Sequence, residues 1–268
     1  MASENVVSMA DAIAAPQVIR AVCETHGPYQ QTLTRILRST FKSPCPQCHA
    51  EAKAREESDR LARESWERKR NLDFRLGSAA IPKRFAEKSL EQYRATNQGQ
   101  IDALRICTDF AENFEYHSDA GRCLLLVGRP GTGKTHLAAA IANHVMHAGK
   151  QTAAYRTIGS VLQAIRDTYG EFSEKTEGQI LSALISADLL ILDEIGASRA
   201  KPSDFELSTM FSIINGRYER QLSTVIVSNL QISELSAAMG ERSLDRLREN
   251  EGIAVSFDWA SARGDSHD

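Results

Sequence analysis

Beyond about Ile81, short unbroken aliphatic runs alternate with longer stretches whose apolar positions recur at helical spacing. This is the pattern of parallel strands buried on both faces and joined by crossover helices. Strands are predicted at Cys123–Val127, Gln151–Tyr155, Leu189–Leu192, Thr224–Val227 and Ile253–Phe257. Helices are predicted over about Thr135–Ala148, with Gly149 as the stop, and over Ser160–Tyr169, Gln179–Ser186, Phe205–Arg220, Ile232–Met239 and Leu244–Arg248. The fold class expected is therefore α/β, a parallel sheet flanked by helices.

The N-terminal part follows a different rhythm. Residues 1–20 are weakly patterned, with a short helix expected around Ala10–Ala15 and ended by Pro16. From Glu51 to Arg75 charges crowd together without a Gly or Pro, which reads as an exposed helix carrying i,i+4 pairs such as Glu56–Arg60 and Glu64–Arg68. Leu61, Trp66, Leu72 and Phe74 are too irregular for a coiled-coil seam, and a tryptophan on so polar a helix implies that something covers it. Gly77–Pro82 is expected to break this helix and to separate a small module, residues 1–76, from a larger domain, residues 77–268.

Composition narrows the class. The 268 residues, 42% of them hydrophobic, suffice for one α/β core and a small appended unit. No apolar run approaches the ~18 residues a membrane span needs, and the N-terminus lacks a basic segment followed by an apolar one, so a cytoplasmic protein is expected. Net charge is −3, and residues 1–80 hold 12 Lys and Arg against 10 Asp and Glu. Neither part is a basic glove for nucleic acid, so any DNA contact should be local and salt-sensitive. Five cysteines argue against a disulfide framework; Cys107 and Cys123 read as core residues.

The other three cysteines are placed as metal ligands. Cys23-Glu-Thr-His26 and Cys45-Pro-Gln-Cys48 are two pairs of x₂ spacing, each able to wrap one side of a tetrahedral Zn²⁺; His49 is a competing ligand. Gly128-Arg129-Pro130-Gly131-Thr132-Gly133-Lys134-Thr135 fits G-x-x-x-x-G-K-[ST] between a strand and a helix. In that context the backbone and His136 line the triphosphate of ATP, Lys134 reaches the β- and γ-phosphates, and the Thr135 hydroxyl ligates Mg²⁺. Leu189–Leu192 leads into Asp193-Glu194, which assigns Asp193 to the Mg²⁺ and Glu194 to the attacking water. Ser228-Asn229 ends a strand expected between those two; Asn229 either positions that water or caps the strand end.

Asp193-Glu-Ile-Gly196, Ser228-Asn229 and Gly240-Glu-Arg242-Ser-Leu-Asp-Arg246-Leu together resemble the AAA+ ATPases of the DnaC-type helicase-loader group, which includes the IstB-type transposition helpers. Ile81-Pro-Lys-Arg-Phe85, Tyr93, Asp167-Thr-Tyr169 and the Cys/His module extend the likeness. The resemblance implies an AAA+ P-loop domain that binds ATP, self-associates, contacts single-stranded DNA and serves a replicative hexameric DNA helicase. It places an arginine finger, acting on a neighbour's γ-phosphate, on Arg246, with Arg242 nearby, and a sensor arginine on Arg263. Tyr169 and Phe205, aromatics at loop edges, either stack on bases or staple their helices to the core. A transposition helper and a nucleotide-binding adaptor without turnover are the alternative functions.

Overall fold

A computed structural model describes residues 15–36, 39–170, 173–197 and 201–261. The expected helix near Ala10 falls almost wholly outside these residues, and Arg263 entirely so. The chain divides into two compact units, residues 1–70 and 71–268.

The first unit holds three strands that the apolar pattern does not reveal. β1 (Gln17–Cys23), β2 (Gly27–Ile36) and β3 (Ser39–Lys42) form an antiparallel sheet in that order. Cys23 pairs with Gly27 across the first turn, where Gly27 has a φ of 75°. Helix α1 (Pro46–Ala79) starts immediately after Cys45, its proline at a position that needs no donor. Glu64 pairs with both Arg60 (4.0 Å) and Arg68 (3.6 Å), while Arg60 takes Glu57 rather than the expected Glu56 as its other neighbour, at 3.8 Å. The expected cover for Trp66 is not found among the described residues: the Arg70 guanidinium lies 4.8 Å from its ring centre, but the tryptophan stays 61% exposed. Among the described residues of this unit Cys45 alone is buried, so no apolar core holds it together.

The helix breaks within the expected Gly77–Pro82 segment, though not at the glycine: α1 continues through Gly77 to Ala79 and ends at Ala80, whose φ is 56°. Tertiary contacts outweigh the ~1 kcal/mol cost of a helical glycine. Leu72 and Leu76 pack on the core of the second unit, Ala79 is buried in it, and Arg75 donates to the carbonyls of Gly149 (2.7 Å) and Gln151 (3.0 Å).

A 3₁₀ turn (Lys83–Phe85), α2 (Gln98–Glu112) and α3 (Phe114–Asp119) precede the sheet. Then follow β4 (Leu124–Gly128), α4 (Lys134–Ala148), β5 (Ala153–Thr157), α5 (Ile158–Asp167), α6 (Glu177–Ser186), β6 (Leu189–Ile195), α7 (Asp204–Tyr218) and β7 (Thr224–Ser228). After a second 3₁₀ turn come α8 (Leu235–Met239), α9 (Glu241–Glu249) and β8 (Ile253–Phe257). All sheet pairings are parallel, in the order β5-β6-β7-β4-β8, so β7 lies between β6 and β4 as expected.

Alternate strand residues feed two cores. Leu124, Leu126, Leu189, Ile191, Val225 and Val227 face α2 and α4, while Leu125, Val127, Leu190, Leu192 and Ile226 face α5 to α9. Full burial of such aliphatic side chains stabilises by roughly 1.5–3 kcal/mol each, which is why these strands show no polar face. Cys107 and Cys123 are buried among them, as expected.

Arg217 of α7 is 1% exposed. It donates to the Thr224 hydroxyl (2.9 Å) and to the carbonyls of Leu184 (2.8 Å), Ile185 (3.2 Å), Ala187 (2.7 Å), Asp188 (3.3 Å) and Ser223. The guanidinium thus closes the C-terminal end of α6, where carbonyls lack helical partners. Burial pulls its pKa down to about 10, which leaves it charged at neutral pH.

Candidate nucleotide and metal sites

The loop between β4 and α4 is shaped by three glycines in left-handed conformations, Gly128 (φ 120°), Gly131 (φ 80°) and Gly133 (φ 96°). At Gly128 a Cβ would stand 2.6 Å from the Phe257 carbonyl oxygen, part of the β8 backbone. The Gly128 N–H donates to Leu230 O and the Arg129 N–H to Phe257 O, both at 3.0 Å, so the start of the loop is tied to β8 and to the segment after β7. Thr132 O accepts from both the Tyr93 hydroxyl and the Trp259 indole N–H, each at 3.1 Å. Lys134 is 4% exposed and its Nζ donates to Gly128 O (2.8 Å) and Arg129 O (2.6 Å). Lys134, Thr135 and His136 open α4 and so stand at the positive end of its dipole. His136 also pairs with Ser89 O at 3.0 Å and meets Tyr93 edge-on, with ring centres 5.6 Å apart.

Asp193 closes on this loop from β6. It is 5% exposed, and its Oδ2 accepts from the Thr135 hydroxyl at 3.1 Å and from the Tyr155 hydroxyl. Its Oδ1 accepts from the Glu194 N–H at 2.6 Å. Burial first, and the Asp193 charge second, push the Tyr155 pKa upward, so this phenol is a donor at any ordinary pH. Tyr155 is the site residue that sequence reasoning missed. Its signal was positional, a tyrosine on the strand beside the Asp-Glu pair.

Glu194 is exposed and has a φ of 62°, and the β6–β7 register shifts between Leu192 and Ile195. Such a bulge redirects a side chain, here turning Glu194 away from the strand while Ile195 returns to the ladder opposite Ser228. The Ser228 hydroxyl donates to Ile195 O at 2.6 Å, and Asn229 comes next, exposed. A buried carboxylate beside a hydroxyl and a lysine, with a second carboxylate in solvent, suits a phosphate-bound divalent cation and an adjacent water.

The remaining candidates lie on helices and their ends. Arg246 of α9 lies 4.4 Å over the Tyr218 ring and donates to Glu249 at 2.9 Å, a bond that raises its pKa; Arg242 is exposed. Tyr169 is 66% exposed and its hydroxyl donates to Glu177 at 2.8 Å. Phe205 is partly buried against the second core, with the Arg166 guanidinium 5.8 Å from its ring centre.

In the first unit, ligand atoms of Cys23, His26, Cys45 and Cys48 lie within 4.8 Å of one another; His49 is exposed and stands outside this group. His26 presents Nδ1 to Cys48 Sγ (3.2 Å) and pairs its Nε2 with Glu51 at 3.0 Å, the carboxylate support usual for a metal-bound imidazole. The backbone N–H groups of His26 and then Thr25 pull the Cys23 pKa down to about 6, while Cys48, 3.5 Å away, is held at about 11 by donating to it. Three sulfurs and one imidazole suit Zn²⁺ in a closed structural site.

Residues 54–249 match the family of IstB-like ATP-binding proteins. The chain is 34% identical to the replicative helicase loader DnaC of Escherichia coli K12 over 175 residues, 65% of this chain and 69% of that one. It is 30% identical to DnaC of Buchnera aphidicola subsp. Baizongia pistaciae over 215 residues, 79% and 85% of the two chains. In fold, the crystal structure of the DnaC helicase loader matches with a TM-score of 0.58 at 23% identity, over 66% of this chain and 99% of that one. A replication initiator DnaA bound to AMPPCP and single-stranded DNA matches with a TM-score of 0.53 at 22% identity, over 68% and 52%.

Proposed function

We propose, since this chain belongs to the family of IstB-like ATP-binding proteins, that it is an ATP-dependent loader of a replicative DNA helicase. The observation that carries this reading is the 34% identity to a helicase loader across 69% of that protein's length. The organisation fits it: a Cys/His unit poor in apolar core, suited to holding a client protein, precedes an α/β unit with a phosphate loop.

In this reading residues 77–268 form the ATPase domain and residues 1–76 the helicase-binding module. The loop from Gly128 to His136 cradles ATP, and Thr135 and Asp193 hold Mg²⁺, which neutralises charge on the phosphates when bound. Glu194 polarises the attacking water and Asn229 orients it. Arg246 acts on the γ-phosphate of a neighbouring copy, Arg242 being the other candidate, and Arg263 contacts the phosphates of its own chain. Cys23, His26, Cys45 and Cys48 hold Zn²⁺. Subunits associate through the ATPase domain, Tyr169 and Phe205 touch single-stranded DNA, and hydrolysis acts as a slow switch that releases the helicase. Among the described residues no helix is long and apolar enough to cross a membrane.

The test uses the full-length chain as bait, offered a purified hexameric replicative helicase or an IS21-type transposase, with ATP or with ADP. Retention of the helicase, stronger with ATP, is expected. Retention of the transposase alone would assign the chain to the transposition helpers, and equal retention with either nucleotide would favour an adaptor without turnover.

A further inference from the structure

We infer that Tyr155 is a positioning residue whose hydroxyl fixes the Asp193 carboxylate in the orientation from which Mg²⁺ is held. The inference rests on the nucleotide-binding reading above. β5 and β6 run parallel, with Tyr155 opposite Ile191 and Thr157 opposite Asp193. Residues two apart on a strand share a face, so Tyr155 and Asp193 are diagonal neighbours within reach of an aromatic side chain. The Tyr155 ring packs in the same core as Ile191, and the hydroxyl meets Asp193 Oδ2 at the edge of that core.

Three donors converge on this carboxylate: the Thr135 hydroxyl, the Tyr155 hydroxyl and the Glu194 N–H. They fill three of about four acceptor directions. The Glu194 N–H belongs to the next residue and moves with Asp193, and Thr135 belongs to the phosphate loop itself. Of the three donors, Tyr155 is the one that ties the Asp193 carboxylate to the neighbouring strand β5. Partners of this kind, one shell out from a metal, commonly contribute 10–100-fold to metal affinity or activity, roughly what is expected here.

The experiment is a Mg²⁺ titration of the full-length protein at fixed fluorescent ATP analogue, read as binding, alongside ATP turnover and thermal unfolding. Tyr155→Phe removes one oxygen and keeps the ring in the core. The Mg²⁺ concentration for half-maximal binding should rise by about 10-fold, with affinity for the nucleotide in EDTA unchanged. In an Asp193→Asn background the same substitution should cost much less, since most of its effect passes through the carboxylate and only the contact of its hydroxyl with Thr135 remains. An unchanged Mg²⁺ midpoint in Tyr155→Phe, or an equal cost with and without Asp193, would overturn the inference alone. Wild-type binding indifferent to Mg²⁺ would overturn the inference by removing the Mg²⁺ role of Asp193, whereas no binding of the analogue by the wild type would overturn the nucleotide-site reading itself.

Discussion

Replacing Glu194 separates two properties that the wild-type residue combines. Its φ of 62° places a side chain in the left-handed region, at a cost of roughly 1–2 kcal/mol relative to right-handed backbone. Glycine at this position would release that cost but would also free the unfolded chain by about 0.5–1 kcal/mol. The balance leaves Glu194→Gly between unchanged and about 1.5 kcal/mol more stable, and loss of a negative charge next to buried Asp193 acts in the same direction. For a unit of this size that is a melting temperature between the wild-type value and roughly 6 °C above it. Glu194→Gln keeps the backbone conformation and should melt within about 0.5 kcal/mol of wild type, as an exposed substitution does. Both variants should bind ATP and lose turnover by ~10²–10⁴, the usual contribution of a general base. Calorimetric melts, nucleotide titration and steady-state phosphate release read all three quantities. A Glu194→Gly protein melting several degrees lower would refute the strain argument, and wild-type turnover in Glu194→Gln would refute the assignment of the base.

Further outcomes are expected from the same geometry. Purified protein should carry one Zn²⁺ per chain; Cys45→Ser/Cys48→Ser should lose it, unfold the first unit and abolish helicase binding while nucleotide binding persists, so undiminished zinc content in that variant would refute the ligand set. Arg246→Ala and Lys134→Ala should each be inactive alone yet regain hydrolysis when mixed, because a mixed interface pairs an intact loop with an intact finger; no recovery despite demonstrated co-assembly would place Arg246 in its own chain's structure, next to Glu249 and Tyr218. Tyr169→Ala should cost roughly 1–3 kcal/mol of single-strand affinity if its ring stacks on bases, and Phe205→Ala, partly buried, should in addition lower the melting temperature; unchanged DNA binding by the folded double variant would return both residues to packing.

The sheet was legible because a strand buried on both faces has almost no freedom of composition: each of the five predicted runs agrees with an observed strand to within three residues at either end. The phosphate loop and the Asp-Glu pair were legible for a similar reason, since positive φ demands glycine and a buried strand delivers the polar residues at its end to the sheet's edge. Helix α2 was missed although its start carries a readable capping box, Asn97 with Gln100, and Ala103, Cys107 and Phe110 recur at helical spacing. β1 to β3 were missed for a physical reason: Val18 and Val22 alternate with Arg20 on an exposed face, and ligand side chains rather than an apolar core gather these strands. Tyr155 was missed because its positional signal is weak: a tyrosine within a strand reads as packing until the register places its oxygen. The continuation of α1 past Gly77 likewise depends on Arg75 finding the carbonyls of Gly149 and Gln151, acceptors far along the chain.

The phosphate loop begins at the first strand of its sheet to be synthesised but is finished by the last. Gly128 and Arg129 rest on Phe257, and Trp259 holds Thr132, so more than a hundred residues must leave the ribosome between the glycines and their supports. A nascent chain halted before Ile253 has β4, α4 and both carboxylates yet lacks the wall against which the loop is set. ATP capture should therefore switch on abruptly once Phe257 and Trp259 have been made, and a chain halted before them should not hold nucleotide.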